Sequence, residues 1–105
     1  MTTKQRAALR SMCNTMEPVL QIGKDGITDN LVKQCWDALE ARELIKGRVL
    51  ENSLLTAREA AEALCLPTRS EVVQVIGSKF VLYRRQHDAS KRKIELVRDN
   101  KKKSV

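Results

Sequence analysis

Aromatic side chains are scarce in these 105 residues, with Trp36, Phe80 and Tyr83 one of each kind. A sheet that reads RNA by base stacking needs two or three exposed aromatics on one face. Phe80 and Tyr83, three apart on one expected strand, fall on opposite faces, and Trp36 is expected on the inward side of a helix. Histidine occurs once, at His87, with no partner within sequence reach, so a catalytic pair has no candidate. Cys13, Cys35 and Cys65 are odd in number and widely spaced, which argues against a disulfide framework or a zinc site and for reduced, cytoplasmic thiols. No apolar run approaches the ~20 residues that span a bilayer. Behind Lys4, Arg6 and Arg10 no apolar stretch of a secretory signal follows. No serine stands in a nucleophile elbow. The carboxylate pairs Asp37 with Glu40 and Glu59 with Glu62 lie on expected exposed helix faces, where solvation is the ordinary role. Together these absences lead us to expect no enzyme, no cofactor, no metal and no membrane.

Positive charge is abundant. Twenty Lys and Arg stand against 13 Asp and Glu, a net +7 with a pI near 9.7. By segment the balance is +2 over residues 1–36, −2 over 37–62, +3 over 63–87 and +4 over 88–105. A body basic at its ends, followed by a basic tail over 98–105, suits a polyanionic partner such as a nucleic acid.

The pattern along the chain predicts alternating helices and strands. A helix is expected from Thr3 to about Asn14, capped by Thr2 or Thr3, with Leu9, Met12, Cys13 and Met16 on one face. Glu17-Pro18 ends it. Val19 to Ile22 reads as a short strand, and Thr28 caps a second helix reaching about Arg42. Glu43 to Leu50 alternates as a strand, with Ile45 and Val49 opposite Lys46 and Arg48. Gly47 within it suggests a bulge or a close backbone approach. Thr56 and Glu59 form a capping box for a third helix, expected to stop at Leu66-Pro67. Val72–Ile76 and Phe80–Arg84 form a hairpin around Gly77-Ser78, the Gly-first pattern of a two-residue turn. The strand–helix–strand unit should pair in parallel and the hairpin antiparallel, giving a small α/β fold with a four-stranded mixed sheet. No apolar helix face is left over, so a monomer is expected.

The segment Gly23-Lys24-Asp25-Gly26 joins the first strand to the second helix. It lacks the Gly-Lys-Ser/Thr ending of a nucleotide-binding P-loop. Its glycines allow a sharp turn and close approach of a phosphate, the helix start offers free amides, and Lys24 is a point charge suited to phosphate.

The layout resembles the CRM domain family of YhbY-like bacterial RNA-binding proteins and their plant organellar relatives. The resemblance is carried by Thr3-Lys4-Gln5-Arg6 with Leu9-Arg10, by Gln21-Ile22-Gly23-Lys24-Asp25-Gly26-Ile27-Thr28, and by Ala38-Leu39-Glu40 with Glu43-Leu44-Ile45-Lys46. It closes with Val75-Ile76-Gly77 and Val81-Leu82-Tyr83-Arg84. The resemblance implies an αβαβαββ domain over 1–97, similar to the C-terminal domain of bacterial translation initiation factor three. It further implies RNA as partner, namely ribosomal RNA in precursors of the large subunit. The loop role maps onto Gly23, Lys24 and Gly26, with Asp25 between them. An adjoining basic face maps onto Lys4, Arg6, Arg10, Lys46 and Arg84. Two departures stand out: Asp25, whose carboxylate repels phosphate unless it pairs with Lys24 or stabilises the turn, and Gly47 in the strand carrying Lys46. The competing expectation is a protein-interaction adaptor docking on a ribosomal protein or GTPase through apolar and acidic surfaces.

Overall fold

A computed structural model describes residues 2–85. His87, the segment Ile94-Glu95-Leu96 and the expected tail over 98–105 lie outside the described residues. Local sequence signals set the ends of the first two helices. Helix α1 (Thr3–Cys13) starts at a capping box in which Thr2 Oγ1 accepts from the Gln5 amide and Gln5 Oε1 accepts from the Thr2 amide, both at 3.1 Å. Strand β1 (Leu20–Ile22) follows, then α2 (Asp29–Arg42), whose cap Thr28 accepts from the Leu31 amide at 3.1 Å. Strand β2 (Leu44–Val49), helix α3 (Ala57–Thr68) and the hairpin β3 (Glu71–Ile76) and β4 (Lys79–Tyr83) complete the order. Gly77 takes a φ of +58° at the first turn position, the conformation its place in the hairpin requires.

The four strands lie in the order β1-β2-β4-β3, with β1 parallel to β2 and the other pairs antiparallel. Alternation along the strands separates two cores. On one face Ile22, Ile45, Phe80 and Leu82 pack against Leu31, Cys35 and Leu39 of α2 and Ala60, Ala61 and Leu64 of α3. On the other, Leu44, Val73, Val81 and Tyr83 pack against Leu9 and Cys13 of α1. Helix α1 covers only part of that face. At the end bearing the hairpin turn, Gln21, Arg48, Lys79 and Ile76 remain exposed.

Two expectations are corrected and one left open is decided. Helix α3 runs through Pro67 to Thr68 rather than stopping at Leu66. A proline in the last turn costs one backbone bond, and other contacts hold that turn: Thr68 Oγ1 donates to the Leu64 carbonyl at 2.6 Å and Arg69, with a φ of +56°, closes the end. Trp36 is not inward; it is 36% exposed and lies beneath the Arg84 guanidinium, 4.2 Å from the ring centroid. Gly47 is the close approach and not the bulge. The irregularity falls between Val72 and Gln74, where the Arg6 guanidinium donates to the Val72 carbonyl.

Candidate nucleic-acid interface

The Gly23–Gly26 loop leaves the end of β1 and enters α2 through Ile27 and Thr28. The Gly26 amide donates to the Gly23 carbonyl at 3.1 Å, which closes the turn, and Gly26 has a φ of +67°. Only glycine takes that conformation without strain. Gly23 differs: a Cβ there would meet Asn52 Oδ1 at 3.7 Å and Leu50 at 3.9 Å, ordinary contacts. Its lack of a side chain is therefore not required by packing, and it leaves the backbone bare. Lys24 and Asp25 are both exposed, and among the described residues no salt bridge joins them. The amides of Asp29 and Asn30 open α2 ahead of its hydrogen-bond ladder. An open depression of about 210 Å³ lies here, lined by Gln21, Lys24, Asp25, Thr28 and the two glycines among others.

Positive charge reaches this loop from the sheet. Gln21 of β1 is in register with Arg48 of β2, Arg48 with Lys79 of β4, and Lys79 with Ile76 of β3. This single row crosses the whole sheet on its uncovered face, three strand spacings or ~14 Å wide. Lys46, half-buried, stands in the next row of the same face. Arg48 and Lys79 also line a cleft of about 580 Å³ between the β2–α3 loop and the hairpin turn. Carboxylates are present nearby, at Asp25 in the loop depression and Glu51 in the cleft, but none occupies the row.

The sequence-predicted basic residues are not all together. Lys24 and Lys46 belong to this end of the molecule. Lys4 is exposed in the first turn of α1, ~14 Å along the helix axis from Cys13. Arg10 is half-buried in the last turn of α1. Arg6 is taken up by the β3 bulge. Arg84, placed on the basic face by the resemblance, is instead 9% exposed at the opposite end of β4. It binds Glu40 Oε1 at 2.7 Å and the Thr68 carbonyl at 3.1 Å and covers Trp36, so the fold occupies every side of it. Arg48 and Lys79 were missed as candidates. The alternation around Ile45 and Val49 put Arg48 on the polar side, and the Gly77-Ser78 turn sets Lys79 opposite Ile76, but the pairing of Lys79 with Arg48 comes from the β2–β4 register.

Burial pushes the Cys35 thiol up to about 11, against partial offsets from Thr68 and Arg84, so it is a protonated core sulfur at neutral pH. Among the described residues no three His, Cys, Asp or Glu side chains converge as metal ligands, and no helix is long and apolar enough to cross a membrane.

An α/β domain with a glycine-bounded loop beside a cationic sheet edge is a nucleic-acid-binding type of module. The family model for the CRS1 / YhbY (CRM) domain matches residues 1–84, and the chain belongs to that family. It is 48% identical over 84 residues to a Bacillus subtilis protein named "Probable RNA-binding protein YqeI", covering 80% of this chain and 88% of that one. It is 33% identical over 98 residues to a Haemophilus influenzae protein named "RNA-binding protein", covering 93% and 96%. A Staphylococcus aureus protein solved in solution superposes with a TM-score of 0.72 at 46% identity, over 90% of this chain and 99% of that one.

Proposed function

We propose that this protein binds structured RNA, with the Gly23–Gly26 loop and the Gln21–Arg48–Lys79 row as one continuous contact. Ribosomal RNA in a precursor of the large subunit is the proposed target and the cytoplasm the proposed compartment. The observation that carries the reading is the bare, outward-facing loop adjoining a row of cations on the uncovered sheet face. The relatives' names and the family support RNA as the ligand class; the ribosomal target rests on the family resemblance. In mechanism, loop amides and Lys24 hold one phosphate while Arg48, Lys79 and Lys46 neutralise its neighbours. Phosphate contacts of this kind set register and affinity, and they are released by salt.

Filter binding across a salt series tests this. Roughly three to five phosphate contacts are expected, each steepening the log–log slope by about 0.7 to 0.9. Lys24→Glu should weaken binding about tenfold at low salt and flatten the slope by about one contact. If Lys24→Glu binds as the parent does while truncation after Val97 abolishes binding, the loop is not the site. The adaptor reading is separated by nuclease: an RNA-dependent association with ribosomal particles collapses on digestion, and a protein-mediated one survives.

The two glycines should separate folding from binding. Gly26→Ala forces a left-handed residue and should cost about 1 kcal/mol of stability in a urea melt. Gly23→Ala should leave the melt within about 0.5 kcal/mol of the parent and still weaken RNA binding, because any side chain narrows the close approach of a phosphate that bare loop backbone allows.

A further inference from the structure

Resting on the RNA-binding reading, we infer that the hollow between the end of α1 and the hairpin receives one unpaired pyrimidine base, and that Gln74 reads it. The hollow measures about 140 Å³ and is lined by Cys13, Asn14, Lys46, Gln74, Ile76 and Lys79 over a floor of Val81. A cavity of about 150 Å³ admits a benzene ring, so a six-membered base fits within this hollow, whereas the second ring of a purine would project from its mouth. The walls suit a ring's faces: Val81 and Cys13 are buried, and Ile76, 64% exposed, offers an apolar edge at the mouth. The polar groups suit a ring's rim. Asn14 and Gln74 each present both a donor and an acceptor, the complement of a pyrimidine's Watson–Crick edge.

Gln74 is the better placed of the two. Its Oε1 accepts a weak bond from Cys13 Sγ at 3.6 Å, while its Nε2 has no partner among the described residues. It also sits directly after the β3 irregularity, and a bulge is a device that re-aims the following side chain. Arg6, reaching from α1, donates to the Val72 carbonyl in that bulge, which gives a fold-internal cation a role in positioning the reader. Lys79 lines both this hollow and the cleft beside Arg48, so the strand carrying the base is already neutralised at the rim. The loop and the cationic row then supply affinity, and the hollow supplies base choice.

Fluorescence anisotropy with oligouridylate, oligocytidylate and oligoadenylate of equal length, alongside an RNA duplex, tests the assignment. The parent should prefer the pyrimidine strands over oligoadenylate by roughly tenfold. Gln74→Ala should bring that ratio within about twofold while leaving duplex affinity and the salt slope unchanged. Ile76→Ala, at an exposed position that folding does not need, should erode the preference in the same direction and covers the case in which Gln74→Ala disturbs β3. Equal binding of all three strands, or a preference kept in both variants, overturns the inference and leaves the RNA reading standing. Failure of every RNA, duplex included, overturns both.

Discussion

Arg48→Glu and Lys79→Glu together are expected to lower RNA affinity about a hundredfold at low salt and to flatten the log–log salt slope by about 1.5. Each reversal removes one phosphate contact and adds one repulsion at the same place. The two side chains face each other directly across β2 and β4, at the end of the ladder nearest the hairpin turn. Like charges directly opposite destabilise a sheet, so the pairing is a cost to folding that a bound polyanion would offset. Arg48→Glu alone should therefore separate the two effects. It converts the repulsive pair into an attractive one worth about 0.2 to 1 kcal/mol, raising thermal stability slightly while weakening RNA binding. A parallel Lys4→Glu, made near the start of α1, should change affinity less than about threefold. Equal losses from Lys4 and from the Arg48–Lys79 pair in anisotropy titrations would mean that diffuse net charge, and not this row, binds RNA. A drop in stability on Arg48→Glu would remove the argument that the row is held for a ligand.

The fold was largely legible because its signals are local. Capping boxes at Thr2–Gln5 and Thr56–Glu59, the Thr28 cap and the Gly77-Ser78 turn each set an element end within a residue or so. Alternation through Ile45, Lys46, Arg48 and Val49 correctly sorted one strand's two faces. What sequence reasoning lost was long-range. A basic residue on a helix flank looks alike whether it meets solvent or a carbonyl sixty-six residues away, which is the fate of Arg6. Arg84 continues the alternation of β4, yet its partners come from α2 and from the last turn of α3, which only the folded chain assembles. The same holds for Pro67, whose local preference is overridden by the buried Thr68 that follows it. The site followed the same division. The loop was readable from its own residues, whereas the cationic row needed the register of two strand pairs before Gln21, Arg48 and Lys79 could be seen as neighbours.

Gly47→Ala is expected to be the most damaging single-methyl change in the chain, costing about 3 kcal/mol and lowering the melting temperature by roughly 15 °C. Glycine inside a strand costs roughly 0.5 to 1 kcal/mol relative to alanine, so propensity alone favours the substitution. Packing opposes it. A Cβ on Gly47 would lie 2.2 Å from Phe80 Cζ and 2.6 and 2.8 Å from the two Cε atoms. Phe80 is the registered partner of Gly47 across β2 and β4 and is 1% exposed, held by Ile45, Leu82 and the helices of the same core, so its ring has nowhere to swing. The ring over the bare strand supplies the contacts that the missing side chain does not. Combining Gly47→Ala with Phe80→Leu should relieve the clash, and the pair should be less destabilised than the sum of the two single changes by at least about 1 kcal/mol in urea melts. Additive losses, or a Gly47→Ala melt within about 2 °C of the parent, would show that the ring is not what excludes the methyl group. Lys46 and Arg48 flank this glycine and project from the opposite face of β2. At a temperature where Gly47→Ala is still folded, its RNA affinity should therefore match the parent's, since the crowding falls on the α2–α3 side of the sheet and the cations stand on the other.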